Sequence, residues 1–197
     1  MKFLKSYRKD KNKEVVLVTD AGEFPLWEKD FDTHFASLEK GDEIENEEFL
    51  IDLAVKREVK KSAIRKISAG NITKNALIFR ISHEKMFGTF PDKNVVETVV
   101  SKLAIAGFIN DSMFARRFLQ NSLTKGWGEY KIRAAMREKG FEQKDVDRAI
   151  EEANPDWESI AREFVEKNEG EERETLFRRL QTRGFSTEII LNVLNGD

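Results

Sequence analysis

The sequence predicts a mainly α protein. Its tandem three-helix repeats form an elongated, curved array, preceded by a small β-containing N-terminal extension. Three observations predict it. Lys139-Gly140-Phe141 and Arg183-Gly184-Phe185 each place apolar residues five and nine positions after the Phe, at Val146 and Ile150 and at Ile190 and Leu194. Phe90, Val95 and Val99 keep those offsets without the Gly, so the matching Phe positions lie 51 and 44 residues apart. Such a period, holding helical patterns throughout, marks tandem helical units. Third, the β-branched run Val15-Val16-Leu17-Val18 has no helical period and sits before a turn.

Taken in order, the first element is a β-hairpin. Val15–Val18 is followed by the turn residues Asp20-Ala21-Gly22 and then by Phe24-Pro25-Leu26-Trp27, where Pro25 confines its strand to a sheet edge. Asn46 then reads as an N-cap, with Glu47 and Glu48 in the first turn complementing the helix dipole. This helix is expected to run to about Ala69, and its later half, from Lys56-Arg57 to Arg65-Lys66, is strongly basic. From Thr73 the chain reads as helix only. Helices are expected near 73–82, 84–89 and 92–106, near 111–124, 128–139 and 142–153, and near 156–168, 172–183 and 186–195. Gly107, Gly140 and Gly184 read as left-handed C′ residues, each followed by Phe, as a Schellman ending requires. Asp111 and Asp156 read as caps. Each unit is expected to be too small to bury its own core, so neighbours must stack. The resulting division is a β-hairpin region over 1–45, a connecting helix over 46–72, and repeats over 73–110, 111–155 and 156–197.

Composition narrows the chemistry. The chain has 197 residues, 40% of them hydrophobic with 15 Phe, which is enough apolar mass for a packed core. With Cys at 0, disulfides, thiolate catalysis and cysteine-ligated zinc or iron–sulfur sites are excluded. His34 and His83 are the two histidines, too few for a multi-His metal centre. No phosphate loop and no nucleophile elbow occur, so no catalysis and no cofactor or metal are expected. The opening MKFLKSYRKDKNKE lacks the apolar core of a signal peptide, and no apolar run approaches a membrane span. A cytoplasmic location is expected.

The net charge of −2 hides a polarity: residues 1–55 carry −6, residues 56–148 carry +10, and residues 149–197 carry −6. The basic middle either is a solvated surface or meets phosphates or an acidic protein. Its richest segment runs from Thr124 to Gly140. There Ile132, Ala135 and Met136 form an apolar face, while Arg133 and Arg137 share an outer stripe near Lys131. Trp127 either folds onto the core or stands with Lys125, Lys131 and Lys139 as a recognition surface, since an aromatic among cations suits protein hot spots and nucleic-acid stacking alike. The Arg116-Arg117 pair is a further basic candidate.

Two segments carry a resemblance to a known family. Ala106-Gly107-Phe108-Ile109-Asn110-Asp111, continuing through Phe114-Ala115 to Phe118, resembles the GY-L-DD-x-x-[YF]-A-x-x-F signature of the RecX regulatory proteins. Lys125-Gly126-Trp127-Gly128, with Lys131-Ile132-Arg133 and Lys139-Gly140-Phe141, resembles their KG-x-G-x-x-[KR]-I-[KR]…KG[IVL] signature. Asp156-Trp157, Ala161-Arg162 and the Arg183-Gly184-Phe185 ending extend the match, which covers about 73–195. Asn110 stands where the family usually has Asp, and Arg80-Ile81-Ser82 follows the first-repeat pattern only loosely. The resemblance implies a non-enzymatic modulator of the recombinase RecA. Such proteins lie along the groove of the RecA–single-stranded DNA filament and restrain its growth, its ATP hydrolysis and its strand exchange. It implies a monomer whose partner is the RecA filament, with single- or double-stranded DNA as a second contact and no membrane. The partner-binding residues expected are Lys125, Trp127, Lys131, Arg133, Arg137, Lys139, Arg116 and Arg117. The competing readings are a nonspecific nucleic-acid binder or helix-turn-helix protein acting directly on DNA, and an α-repeat adaptor for another partner.

Overall fold

A computed structural model describes residues 1–9 and 13–196. The described chain begins with an antiparallel sheet of three strands in the order β1-β2-β3: β1 Phe3–Lys9, β2 Glu14–Thr19 and β3 Gly22–Trp27. Pro25 lies on β3, an edge strand, opposite Val16, so its missing N–H costs no ladder bond inside the sheet. Ten helices follow among the described residues. They are α1 Glu28–His34, α2 Glu47–Ser68, α3 Lys74–Ser82, α4 Lys93–Ile105, α5 Asp111–Leu123, α6 Glu129–Glu138, α7 Gln143–Ala153, α8 Trp157–Glu166, α9 Arg173–Thr182 and α10 Thr187–Asn195. None of the described helices is long and apolar enough to cross a membrane.

The chain divides into two compact units, Met1–Gly70 with Leu77–Leu103, and Asn71–Ala76 with Ala104–Asp197. In the first, β2 is the central strand and its Val15, Val16 and Leu17 are buried, which is why that run lacks polar alternation. Helix α2 lies against β3 and closes a core of Phe3, Leu17, Leu26, Phe31, Leu50 and Ala54. Asn46 caps α2, accepting from the Phe49 amide at 2.9 Å. Arg57 of α2 is only 1% exposed, pairs with the buried Glu14 of β2, and lies 5.3 Å from the Trp27 ring centre. Glu84 accepts from Ser62 at 2.7 Å and from Arg65 at 2.8 Å, tying α2 to the segment after α3.

That segment is not the helix expected near 84–89. Met86 and Thr89 exchange backbone bonds of 2.7 and 3.1 Å across Phe87 and Gly88, whose φ angles are +50° and +82°. Two consecutive left-handed residues make a tight two-residue hairpin turn, which a right-handed helix cannot contain.

In the second unit α5, α6 and α7 enclose Ala115, Leu119, Ile132, Met136, Phe141, Val146 and Ile150. Helices α8, α9 and α10 enclose Ala161, Phe164, Leu176, Leu180, Phe185, Ile190 and Val193. Each three-helix group therefore buries a cluster of its own, against the expectation that neighbours must share one. Large Phe and Leu side chains at the helix crossings fill so small a core. Both groups end their middle helix in a Schellman motif: Phe141 donates to Met136 and Phe185 to Leu180, each at 3.2 Å, with Gly140 at φ +82° and Gly184 at φ +86°.

The caps differ from expectation at one position. Asp156 caps α8, accepting from Ser159 at 2.9 Å. At α5 the cap is Asn110, accepting from Met113 at 2.8 Å. Asp111 is the first helical residue instead, and its two carboxylate oxygens accept from the Lys74 amide at 3.1 and 3.0 Å. Thr73 completes that junction by donating to the Lys139 carbonyl at 2.8 Å while accepting from Ala76 at 3.2 Å. The start of α3 is thus anchored on the C-terminal end of α6 inside this unit.

Candidate partner-binding face

Helix α6 is held by its apolar stripe, since Ile132 and Met136 are buried against α5 and α7. Its other faces present the cations expected to bind. Gly128 is the N-cap and Trp127 precedes it, half-buried against the α5–α7 cluster with one side left outward. Lys125 and Lys131 bring their ammonium groups to 5.4 and 4.9 Å from the Trp127 ring centre. The indole therefore seals the edge of that core and carries the two ammonium groups on its outer part.

Arg133 does not join Arg137 in an exposed stripe. Its guanidinium donates to Glu129 at 2.7 Å and to Asp147 at 2.5 Å, and Gln143 also donates to Asp147. Burial pulls its pKa down, but the hydrogen bonds it donates to the Asp147 and Glu129 carboxylates outweigh this and leave it above the ordinary value. Asp147 is correspondingly held below the usual carboxylate range by the Arg133 bond. The i, i+4 spacing of Glu129 and Arg133 makes the first bond, and α7 supplies the second. Arg116 is likewise engaged, forking onto Glu152 at 2.7 and 3.1 Å. Arg117, Arg137 and Lys139 are exposed, with Lys139 standing 5.5 Å from the Phe118 ring centre. Among the described residues, no carboxylate pairs with Lys125, Lys131, Arg137, Lys139 or Arg117.

The structure adds residues that sequence reasoning missed. The end of α9 docks on the start of α6: the Gly128 and Tyr130 amides donate to the Arg183 and Gly184 carbonyls at 2.8 and 3.0 Å. A Cβ on Gly128 would run into the Gly184 carbonyl, so only glycine permits this approach. Arg183 donates from Nη1 to the Lys125 and Gly126 carbonyls at 2.8 and 3.2 Å, and its guanidinium lies 4.2 Å from the Phe164 ring centre. Burial, then the charge of Arg179, push its pKa down. Beside this junction lies a cavity of about 450 Å³ walled by Trp127, Lys131, Thr175, Arg178, Arg179, Thr182 and Arg183. A signal for it was present, because Arg183 occupies the position before Gly-Phe that Lys139 holds in the preceding group.

Residues 110–150 match the family described as RecX, second three-helix domain, and so span α5 through most of α7. The chain is 29% identical over 148 residues to the regulatory protein RecX of Escherichia coli strain SE11, covering 72% of this chain and 84% of that one. Its identity to the regulatory protein RecX of Escherichia fergusonii is 28% over the same coverage. A crystal structure of regulatory protein RecX superposes with a TM-score of 0.69 at 19% identity, covering 100% of this chain and 99% of that one. The crystal structure of RecX from Lactobacillus salivarius gives 0.61 at 14% identity, covering 72% and 96%.

Proposed function

The chain belongs to the RecX family, and we propose that it binds the filament of RecA on single-stranded DNA and restrains its ATP hydrolysis, growth and strand exchange. The observation that carries this reading is the match of residues 110–150 to the second three-helix domain of RecX, the segment that also holds the exposed cations of α6. Under this reading Lys125, Trp127, Lys131, Arg137 and Lys139 contact the filament, with Arg117 beside them. Arg133 and Arg116 serve differently. Their carboxylate partners fix the α6–α7 and α5–α7 spacing, so they shape the face. The protein acts in the cytoplasm as a monomer, without a cofactor and without a reaction of its own.

A titration into RecA turning over ATP on single-stranded DNA tests this directly. Substoichiometric protein is expected to depress hydrolysis, because restraining filament growth removes active sites beyond those it touches. Unchanged hydrolysis at equimolar protein, or ATP hydrolysis by this chain alone, would contradict the assignment.

A further inference from the structure

The cavity between α6 and α9 is a concentration of positive charge in an otherwise acidic part of the chain. Residues 149–197 hold 6 basic and 12 acidic side chains, yet three of those cations, Arg178, Arg179 and Arg183, wall this one groove. Helix α6 contributes Lys131 from the other side. Among the described residues no carboxylate belongs to the wall. Arg179 is paired with Glu171, but among the described residues no carboxylate pairs with Arg178, Arg183 or Lys131. Like charges gathered this way repel one another: burial does most to lower the pKa of Arg183, and the charge of Arg179 adds to it. An anion entering the groove would relieve that repulsion.

The groove is also preformed. The backbone bonds from Gly128 and Tyr130 to Arg183 and Gly184 fix its floor, and the Arg183 guanidinium is locked by two carbonyls and by Phe164. Thr175 adds a hydroxyl to the wall, whereas the Thr182 hydroxyl donates to the Arg178 carbonyl at 2.9 Å, and Trp127 supplies the aromatic side. Guanidinium forks with hydroxyl donors suit phosphate oxygens, and a basic groove with one aromatic wall is how single strands are held without sequence preference.

We propose that this groove binds the phosphate backbone of a single nucleic-acid strand, with Arg178, Arg183 and Lys131 at the phosphates and Trp127 beside a base. The assignment needs no RecA. A bare strand suffices to test it, so its failure would leave the RecA reading standing and the reverse also holds.

The test is anisotropy of labelled oligo(dT) with the full chain across a salt series. Arg178→Ala removes an exposed side chain that pairs with no carboxylate among the described residues. Each lost phosphate contact on a single strand removes about 0.7 from the salt slope, so binding near 0.15 M salt should weaken by roughly fourfold. Arg178→Glu should weaken it further, and Lys144→Ala, which removes a charge paired with Glu142, should leave it unchanged. Parent-like affinity and slope in both Arg178 variants would overturn the proposal. So would polyglutamate, inorganic phosphate or duplex DNA displacing oligo(dT) at matched charge, since each names a different occupant.

Discussion

At the residue scale, the neighbours Asn110 and Asp111 divide two tasks that the sequence assigned to one. Asn110 satisfies a free amide of α5, whereas Asp111 reaches back to the Lys74 amide. Asn110→Ala should therefore cost about 0.5–2 kcal/mol, the loss of a cap, read as a melting shift. Asp111 behaves otherwise. Burial raises its pKa above the ordinary carboxylate value; the Lys74 amide opposes this and the charges of Asp145 and Glu142 add to it. A raised carboxylate holds its proton more tightly folded than unfolded. Its contribution is thus fully present below the unfolded pKa and is lost as pH rises through the folded one. Asp111→Asn keeps an acceptor for Lys74 without the charge, so it should flatten the fall in stability across the carboxylate range and leave neutral-pH stability equal or higher. A variant that melts lower at neutral pH with the slope intact would show that the charge itself holds the junction. None of this was legible in the sequence, because Lys74 lies 37 residues away and only the fold brings it to Asp111.

At the element scale, what was legible depended on whether a pattern was local. The α2 cap, the Gly-Phe helix ends and the edge strand with Pro25 all follow from a few neighbouring residues, and the structure has them. Strand β1 was missed because, after Phe3, it is exposed throughout and carries no buried alternation to read. The turn at Phe87-Gly88 was missed because a Phe at positive φ has no composition signature. The neutralisation of Arg133 was half visible: Glu129 stands four residues before it, but Asp147 comes from α7. The α6–α9 junction is the element on which the second unit's groove rests. Gly184→Ala would force a side chain into φ +86° and drive its Cβ into the Lys131 backbone. The left-handed conformation alone costs about 1–2 kcal/mol, and the clash adds to it. Melting should fall by more than a helix-cap loss, with oligo(dT) affinity falling as well. A Gly184→Ala protein with parent melting and parent binding would mean that the junction is not needed to shape the groove.

At the scale of the whole molecule, the repeat period and the charge polarity were both written in the sequence, and together they located α6 as the exposed basic helix of the middle group. They did not reveal that Arg133 of α6 and Arg116 of α5 are already spent on carboxylates, nor that an acidic third group turns its own arginines toward α6. Charge summed over a segment hides such pairing, because ion pairs form between segments. Under the proposed function the filament, more than the strand alone, is what this protein binds. The most direct measurement of this is affinity for RecA-coated single-stranded DNA against the same bare strand at about 150 mM salt, a concentration at which exposed long-range attractions are screened. Tighter binding to the coated strand is predicted, with a shallower salt slope than on bare DNA because protein contacts replace phosphate contacts. Equal affinity for both, with the same steep salt slope, would contradict it.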